Sequence, residues 1–212
     1  MSNTNPEFEL RGLNHVAMVC KDMQRTVDFY TNILGMKLVR TLDLPGGSGQ
    51  HFFLDMGGGQ CFAFFWFPDA SERSPGISNP SANIDPATAL TDPTGFLSSH
   101  GSMNHLAFDV APEKLLEYRD KLIAKGVQVS TVMHHDASPS QLADHVTESV
   151  WISSIYFQDP DGIVLEFAVN QRAFNAGLGD RRDHVPATSE DRERYRAEGR
   201  AMREMMAAQR AG

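Results

Sequence analysis

Three side chains draw attention because their types could share one cation. His15, His105 and Glu166 each lie in a short apolar stretch, and each is followed two residues later by an alanine: Ala17, Ala107 and Ala168. In an extended strand, residues i and i+2 share a face. Each polar group therefore has a small neighbour beside it, as the lining of a cavity requires. Two imidazoles and one carboxylate form a facial ligand set that leaves coordination positions open. Such a set suits non-haem Fe(II), or Mn(II) with similar geometry, and catalytic Zn(II) also uses two His and one Glu. Taken singly, a strand histidine is ordinarily a satisfied core or surface group, and Glu166 could pair with an Arg or Lys or face water. An ionised glutamate inside an apolar strand is nonetheless expensive unless a partner or cation holds it.

The elements that must position these residues occur twice. Asn14-His15-Val16-Ala17-Met18-Val19 returns ninety positions later as Asn104-His105-Leu106-Ala107-Phe108-Asp109, each alternating with period two as a strand does. A helical pattern follows each copy. The first carries Met23, Val27, Phe29, Tyr30 and Leu34 and is closed by Gly35; the second carries Leu115, Leu116, Tyr118, Leu122 and Ile123 and is closed by Gly126. Further strands are expected at Met36–Leu42 and Val127–Met133. Hairpin-like pairs close each half: His51–Met56 with Gln60–Pro68 around three glycines, and Ser154–Gln158 with Ile163–Asn170 around Asp159-Pro160-Asp161-Gly162. A β-α-β-β-β unit of this size buries too little apolar surface to stand comfortably alone. Two of them sharing a core are the economical solution, and corresponding histidines would then lie near a pseudo-twofold axis.

The expected architecture is α+β: two tandem βαβββ modules, residues 9–69 and 104–170, in one cup-shaped, metal-centred β-sheet domain. A connection over 70–103 contains Pro75, Pro80, Pro86 and Pro93, and reads equally as a linker or an active-site lid. Residues 171–212 form an extension ending in a helix. Pro186 with Thr188 or Ser189 can cap that helix, supported by Asp191, and Tyr195, Met202, Met205 and Met206 give it a thin apolar stripe suited to packing on a partner subunit or its own domain.

Composition narrows the function classes. The 212 residues are 41% hydrophobic and 22% charged, with 19 Lys and Arg against 27 Asp and Glu, a net charge of −8. An acidic surface repels phosphate backbones, so no nucleic-acid partner is expected. The longest apolar run, Cys61–Phe67, is far too short to cross a bilayer, and the first residues lack a basic and then apolar leader. Two cysteines, Cys20 and Cys61, make no disulfide framework and suit a reducing compartment. The expectation is a cytoplasmic protein without membrane contact.

The repeat, the openings Leu13-Asn14-His15-Val16 and Met103-Asn104-His105-Leu106, Phe29-Tyr30 before Leu34-Gly35, and Tyr156-Phe157-Gln158-Asp159-Pro160-Asp161-Gly162 leading to Glu166 together resemble the vicinal oxygen chelate superfamily. That group includes glyoxalase I, type I extradiol ring-cleaving dioxygenases, fosfomycin-resistance enzymes and metal-free drug-binding proteins. The resemblance implies metal ligands at His15, His105 and Glu166, with a fourth position near Ala63, where glyoxalase I usually has a Glu; alanine cannot ligate. It also implies an extradiol-like run from Ile155-Tyr156 to Glu166, with Tyr156 bonding a substrate oxygen. That pattern expects a histidine five to seven residues before Ile155 and an additional acid–base histidine near the end of the first module, which has no counterpart between Gln60 and Pro68. His145, with nine residues between it and Ile155, is the candidate by position, and His51 lies out of register. The implied function is an Fe(II) dioxygenase acting with O2 on a catechol-like aromatic or other vicinal-oxygen substrate, as a homodimer. A glyoxalase-like lyase or isomerase and a non-catalytic small-molecule-binding protein are the alternatives.

Overall fold

The two copies of the repeat become two sheets because their apolar residues alternate, while the residues between the first and second strand of each follow helical spacing. The computed structural model describes residues 12–70, 103–138, 141–172 and 185–211. The first sheet comprises β1 (His15–Val19), β2 (Leu38–Asp43), β3 (Gln50–Gly57) and β4 (Gln60–Trp66) in the order β1-β4-β3-β2, with β1 parallel to β4. The second comprises β5 (Leu106–Asp109), β6 (Met133–His135), β7 (Leu142–Ala143), β8 (Ile152–Gln158) and β9 (Val164–Asn170) in the order β5-β9-β8-β6-β7, with β5 parallel to β9. The Pro-rich connection (71–102) and the start of the extension (173–184) lie outside the described residues.

Helix α1 (Met23–Asp28) starts at Asp22, whose carboxylate accepts from the Arg25 amide, and continues as a π turn over Phe29–Ile33. Helix α2 spans Leu115–Ala124. Gly35 and Gly126 follow these two elements at φ of 73° and 81°, where a side chain would be strained. The final helix α3 (Arg192–Ala211) is preceded by a capping box in which the Thr188 side chain bonds the following turn and Asp191 bonds back to the Thr188 amide. Tyr195 and Met205 on α3 are exposed. Met202 and Met206 fall outside the described side chains.

The sheet residues facing α1 and α2 merge into one core. Tyr30, Phe62 and Phe64 from the first module and Ile155, Phe157 and Leu165 from the second are all fully buried within it. Polar ties join the modules on this side. Tyr30 Oη donates to Asp159 Oδ2 at 3.1 Å, the Lys21 amide donates to Asp161 Oδ2 at 2.9 Å, and Lys125 Nζ donates to the Asn32 and Ile33 carbonyls at the end of the π turn.

The strand expected over Val127–Met133 is shorter and later. Only Val129 makes an isolated bridge, to Phe157, and the ladder begins at Met133. Ser130 is the reason: its hydroxyl accepts from the Tyr156 amide, and its carbonyl accepts from Arg119 Nε instead of a strand partner.

Register makes the two modules directly comparable. Ala17 lies opposite Ala63 where Ala107 lies opposite Glu166, and Phe53 lies opposite Ala63 where Tyr156 lies opposite Glu166. Ala63 is therefore the counterpart of Glu166, and Phe53 the counterpart of Tyr156.

Asp159 at the module junction is titratable and buried. Burial, with Asp161 adding to it, raises its carboxyl from 3.8 to about 6, against the pull of the Ile163 and Asp161 amides and the Tyr30 hydroxyl. The folded protein thus binds this proton more tightly than the unfolded chain. The contribution stabilises the fold at low pH and is lost between about pH 4 and about pH 6, on the order of 2–3 kcal/mol. Denaturant titrations of Asp159→Asn should lack this decline, so the difference from the parent protein should change across that interval and be flat above it.

Candidate metal centre

Glu166 is central because strand alternation turns it away from the apolar side of β9. Leu165 and Val169 face the core, while Glu166 faces the other way and is still only 4% exposed. His105, immediately before β5, meets it: His105 Nε2 lies 2.9 Å from Glu166 Oε2. The other imidazole nitrogen of His105, Nδ1, lies 2.7 Å from Asn104 Oδ1. Burial pushes the Glu166 carboxyl up, but the hydrogen bond and charge of His105, with the Ser154 and Tyr156 hydroxyls, outweigh it and hold the group below the usual glutamate value.

Tyr156 completes the second-module cluster. It is 8% exposed, its ring stands edge-on to His105 at 5.7 Å, and its Oη lies 3.4 Å from His135 Nε2. Burial and the neighbouring Glu166 charge push the phenol well above its ordinary value, so Tyr156 keeps its proton and can donate. The Trp151 ring lies 5.9 Å from that of His135, and the Trp151 amide donates to the His135 carbonyl. Burial lowers the imidazole of His135 despite the attraction of Glu166, leaving it neutral at pH 7.

His15 stands elsewhere. It lies on the exposed face of β1 with Ala17 and Val19, the last 50% exposed, and its Nδ1 is 2.7 Å from Asn14 Oδ1, the same arrangement as at His105. Beside it runs a ladder of rings: Phe53 at 5.9 Å, His51 at 4.3 Å from Phe53 and stacked on Phe65 at 3.6 Å, and Phe67 stacked on Phe65 at 5.4 Å. His51 Nε2 is buried there with no hydrogen-bond partner, and burial with the nearby His15 lowers this imidazole. Of the aromatic run in β4, Phe62 and Phe64 pack on Tyr30 in the core, whereas Phe65 belongs to the histidine face.

The convergence expected of His15, His105 and Glu166 is thus partial within one chain. Among the described residues no three His, Cys, Asp or Glu side chains come close enough to hold one ion. The modules join through their helix-covered sides, so the two histidine faces do not close on one another. His145 does not reach the pair either. It is an exposed loop residue whose charge acts on His134, the neighbour of His135 whose side chain points to the opposite face of β6. His135 is the histidine that sequence reasoning missed. The expected strand stopped at Met133, and only the displaced β6 gives His135 the face of Tyr156.

Residues 12–167 match the family described as the Glyoxalase/Bleomycin resistance protein/Dioxygenase superfamily. The chain belongs to this superfamily. Over 47 residues it is 43% identical to a lactoylglutathione lyase of Pseudomonas aeruginosa, covering 22% of this chain and 27% of that protein. Over 52 residues it is 38% identical to a lactoylglutathione lyase of Arabidopsis thaliana, covering 24% and 18%. The chain therefore spans about a quarter or less of the curated relatives it matches. Its fold is similar to that of a glyoxalase family protein from Enterococcus faecalis, with TM-score 0.51, 20% identity, and 76% of this chain and 99% of that one covered. It is equally similar to a glyoxylase/bleomycin resistance protein/dioxygenase domain from Frankia sp. EAN1pec, with TM-score 0.51, 16% identity and the same coverage. Among the described residues no helix is long and apolar enough to cross a membrane.

The pairing has a measurable cost of disruption. His105→Ala leaves Glu166 buried without its main partner and should destabilise the metal-free protein by about 1–2 kcal/mol in urea unfolding at pH 7, a modest figure because the imidazole is more than one-third exposed. The loss should shrink on acidification as Glu166 takes up a proton. His15→Ala, on an exposed face, should change stability by less than about 0.5 kcal/mol.

Proposed function

We propose that this superfamily member is a divalent-metal enzyme whose centre joins His105 and Glu166 of one copy to His15 of a second copy, and that it cleaves catechol-like rings with Fe(II) and O2. The carrying observation is the buried Glu166 carboxylate 2.9 Å from an imidazole whose other nitrogen is already engaged. With Nδ1 donating to Asn104, a proton or a cation must lie between Nε2 and the carboxylate. The donor set fits a divalent metal, and Mn(II) and Zn(II) are compatible with the same ligands. His15 has the same engaged Nδ1 on an exposed apolar face, flanked by Val19 and the exposed Leu13, so docking of a second copy would cover that face and supply the third ligand.

When bound, the cation supplies Lewis acidity and adjacent open positions for two oxygens of a substrate. The remaining work belongs to the chain. Tyr156 donates a hydrogen bond to a substrate oxygen beside Glu166, and His135 sets the direction of that hydroxyl. Phe53 beside His15, and Phe65 farther along the same face, offer an apolar surface to a planar ring and exclude water from it. A lyase or isomerase reaction is the second reading, favoured by the lactoylglutathione lyase matches. Ala63 in the place of a second carboxylate speaks against it.

Mixed copies test the shared centre. Chains carrying His15→Ala and chains carrying Glu166→Ala should each fail to hold metal alone, whereas their heterodimer should hold one ion in one reconstituted centre. No metal in the heterodimer contradicts the proposal. Oxygen uptake with a panel of catechols should accompany turnover. Turnover of a hemithioacetal without O2 would instead establish the lyase reading, and ligand retention by His105→Ala without turnover would establish a binding protein.

A further inference from the structure

The repeat contains an asparagine before each histidine, and the structure gives the pair a physical role. Asn14 Oδ1 lies 2.7 Å from His15 Nδ1, and Asn104 Oδ1 lies 2.7 Å from His105 Nδ1. The two modules differ at most other positions of this face: Ala63 against Glu166, Phe53 against Tyr156. The same short contact recurs despite those different surroundings. An amide oxygen accepts and cannot donate, so it draws the imidazole proton to Nδ1. The lone pair is then left on Nε2 of His15; at His105, where Nε2 is turned to Glu166, a bridging proton holds that place in the metal-free chain and a cation would replace it. We infer that Asn14 and Asn104 are positioning residues that hold a proton on Nδ1, fix the ring direction of His15 and His105 and so present Nε2 to a cation. The inference rests on the metal-centre reading above for its purpose, but the tautomer is a property of the metal-free chain. An outer partner of this kind commonly changes metal affinity by about 10- to 100-fold when removed.

The full-length protein tests this with and without Mn(II). In the metal-free protein, ¹⁵N imidazole spectra should show neutral His15 in the Nδ1–H form. Asn14→Leu, similar in size without the acceptor, should shift it toward the Nε2–H form that free imidazole side chains favour, and Asn14→Asp should keep it Nδ1–H. In Mn(II) titrations followed by the free-ion EPR signal, Asn104→Leu should weaken binding about 10-fold or more. Asn104→Asp should restore it, with the two variants melting alike. His15 in the Nε2–H form in the parent protein, or equal Mn(II) affinity of the Leu and Asp variants, would overturn the inference. Absence of Mn(II) binding by the parent, with His15 still Nδ1–H and answering to the residue at position 14, would defeat the metal reading while supporting the tautomer assignment.

Discussion

The constraint on which the second module depends is a carboxylate placed where water hardly reaches. Glu166 lies on a strand whose alternate residues fill the core, and removing a charge from water is costly unless hydrogen bonds and an opposing charge replace the solvent. His105 provides the principal replacement, with the Ser154 and Tyr156 hydroxyls adding to it. Burial alone would push this carboxyl up; the observed balance holds it down, so Glu166 is kept ionised and aimed. Tyr156 and His135 are ordered around that charge. The first module carries alanine at the same register position, and its face is lined by rings instead of a polar chain.

Duplication explains how one small unit yields two unlike surfaces. Both modules use one side of the sheet for the helix and the shared core, joined by Tyr30 and Asp159. Both leave the opposite side for a histidine tied to its preceding asparagine. The difference lies in what surrounds that histidine. The second module sets a carboxylate and a protonated phenol beside it, and the first sets the rings of Phe53, His51 and Phe65, with His51 stacked on Phe65. In the proposed centre, these two faces meet between copies of the chain.

Much of this was legible in the residues. Period-two alternation around His15, His105 and Glu166 correctly separated the core-facing side chains from those on the opposite face, and the position that the resemblance assigned to Ala63 corresponds to that of Glu166 in the ladders. The Thr188 and Asp191 capping pair was equally readable. Other features depended on distant partners. His135 was hidden because Ser130 interrupts the ladder through its side chain, an event that alternation does not encode. The separation of His15 from His105 was also hidden, because periodicity specifies which face a residue occupies but not which faces of two packed modules oppose each other. His145 was favoured by its place along the chain, yet it lies in a loop beside His134.

The most direct measurement is an anomalous difference map from crystals grown with a divalent metal, collected at that metal's absorption edge. The account predicts one peak per chain in bonding contact with His105 Nε2 and Glu166 of one copy and with His15 Nε2 of another. A map with no peak between His105 and Glu166, or a peak there with His15 of every copy remote from it, would contradict it.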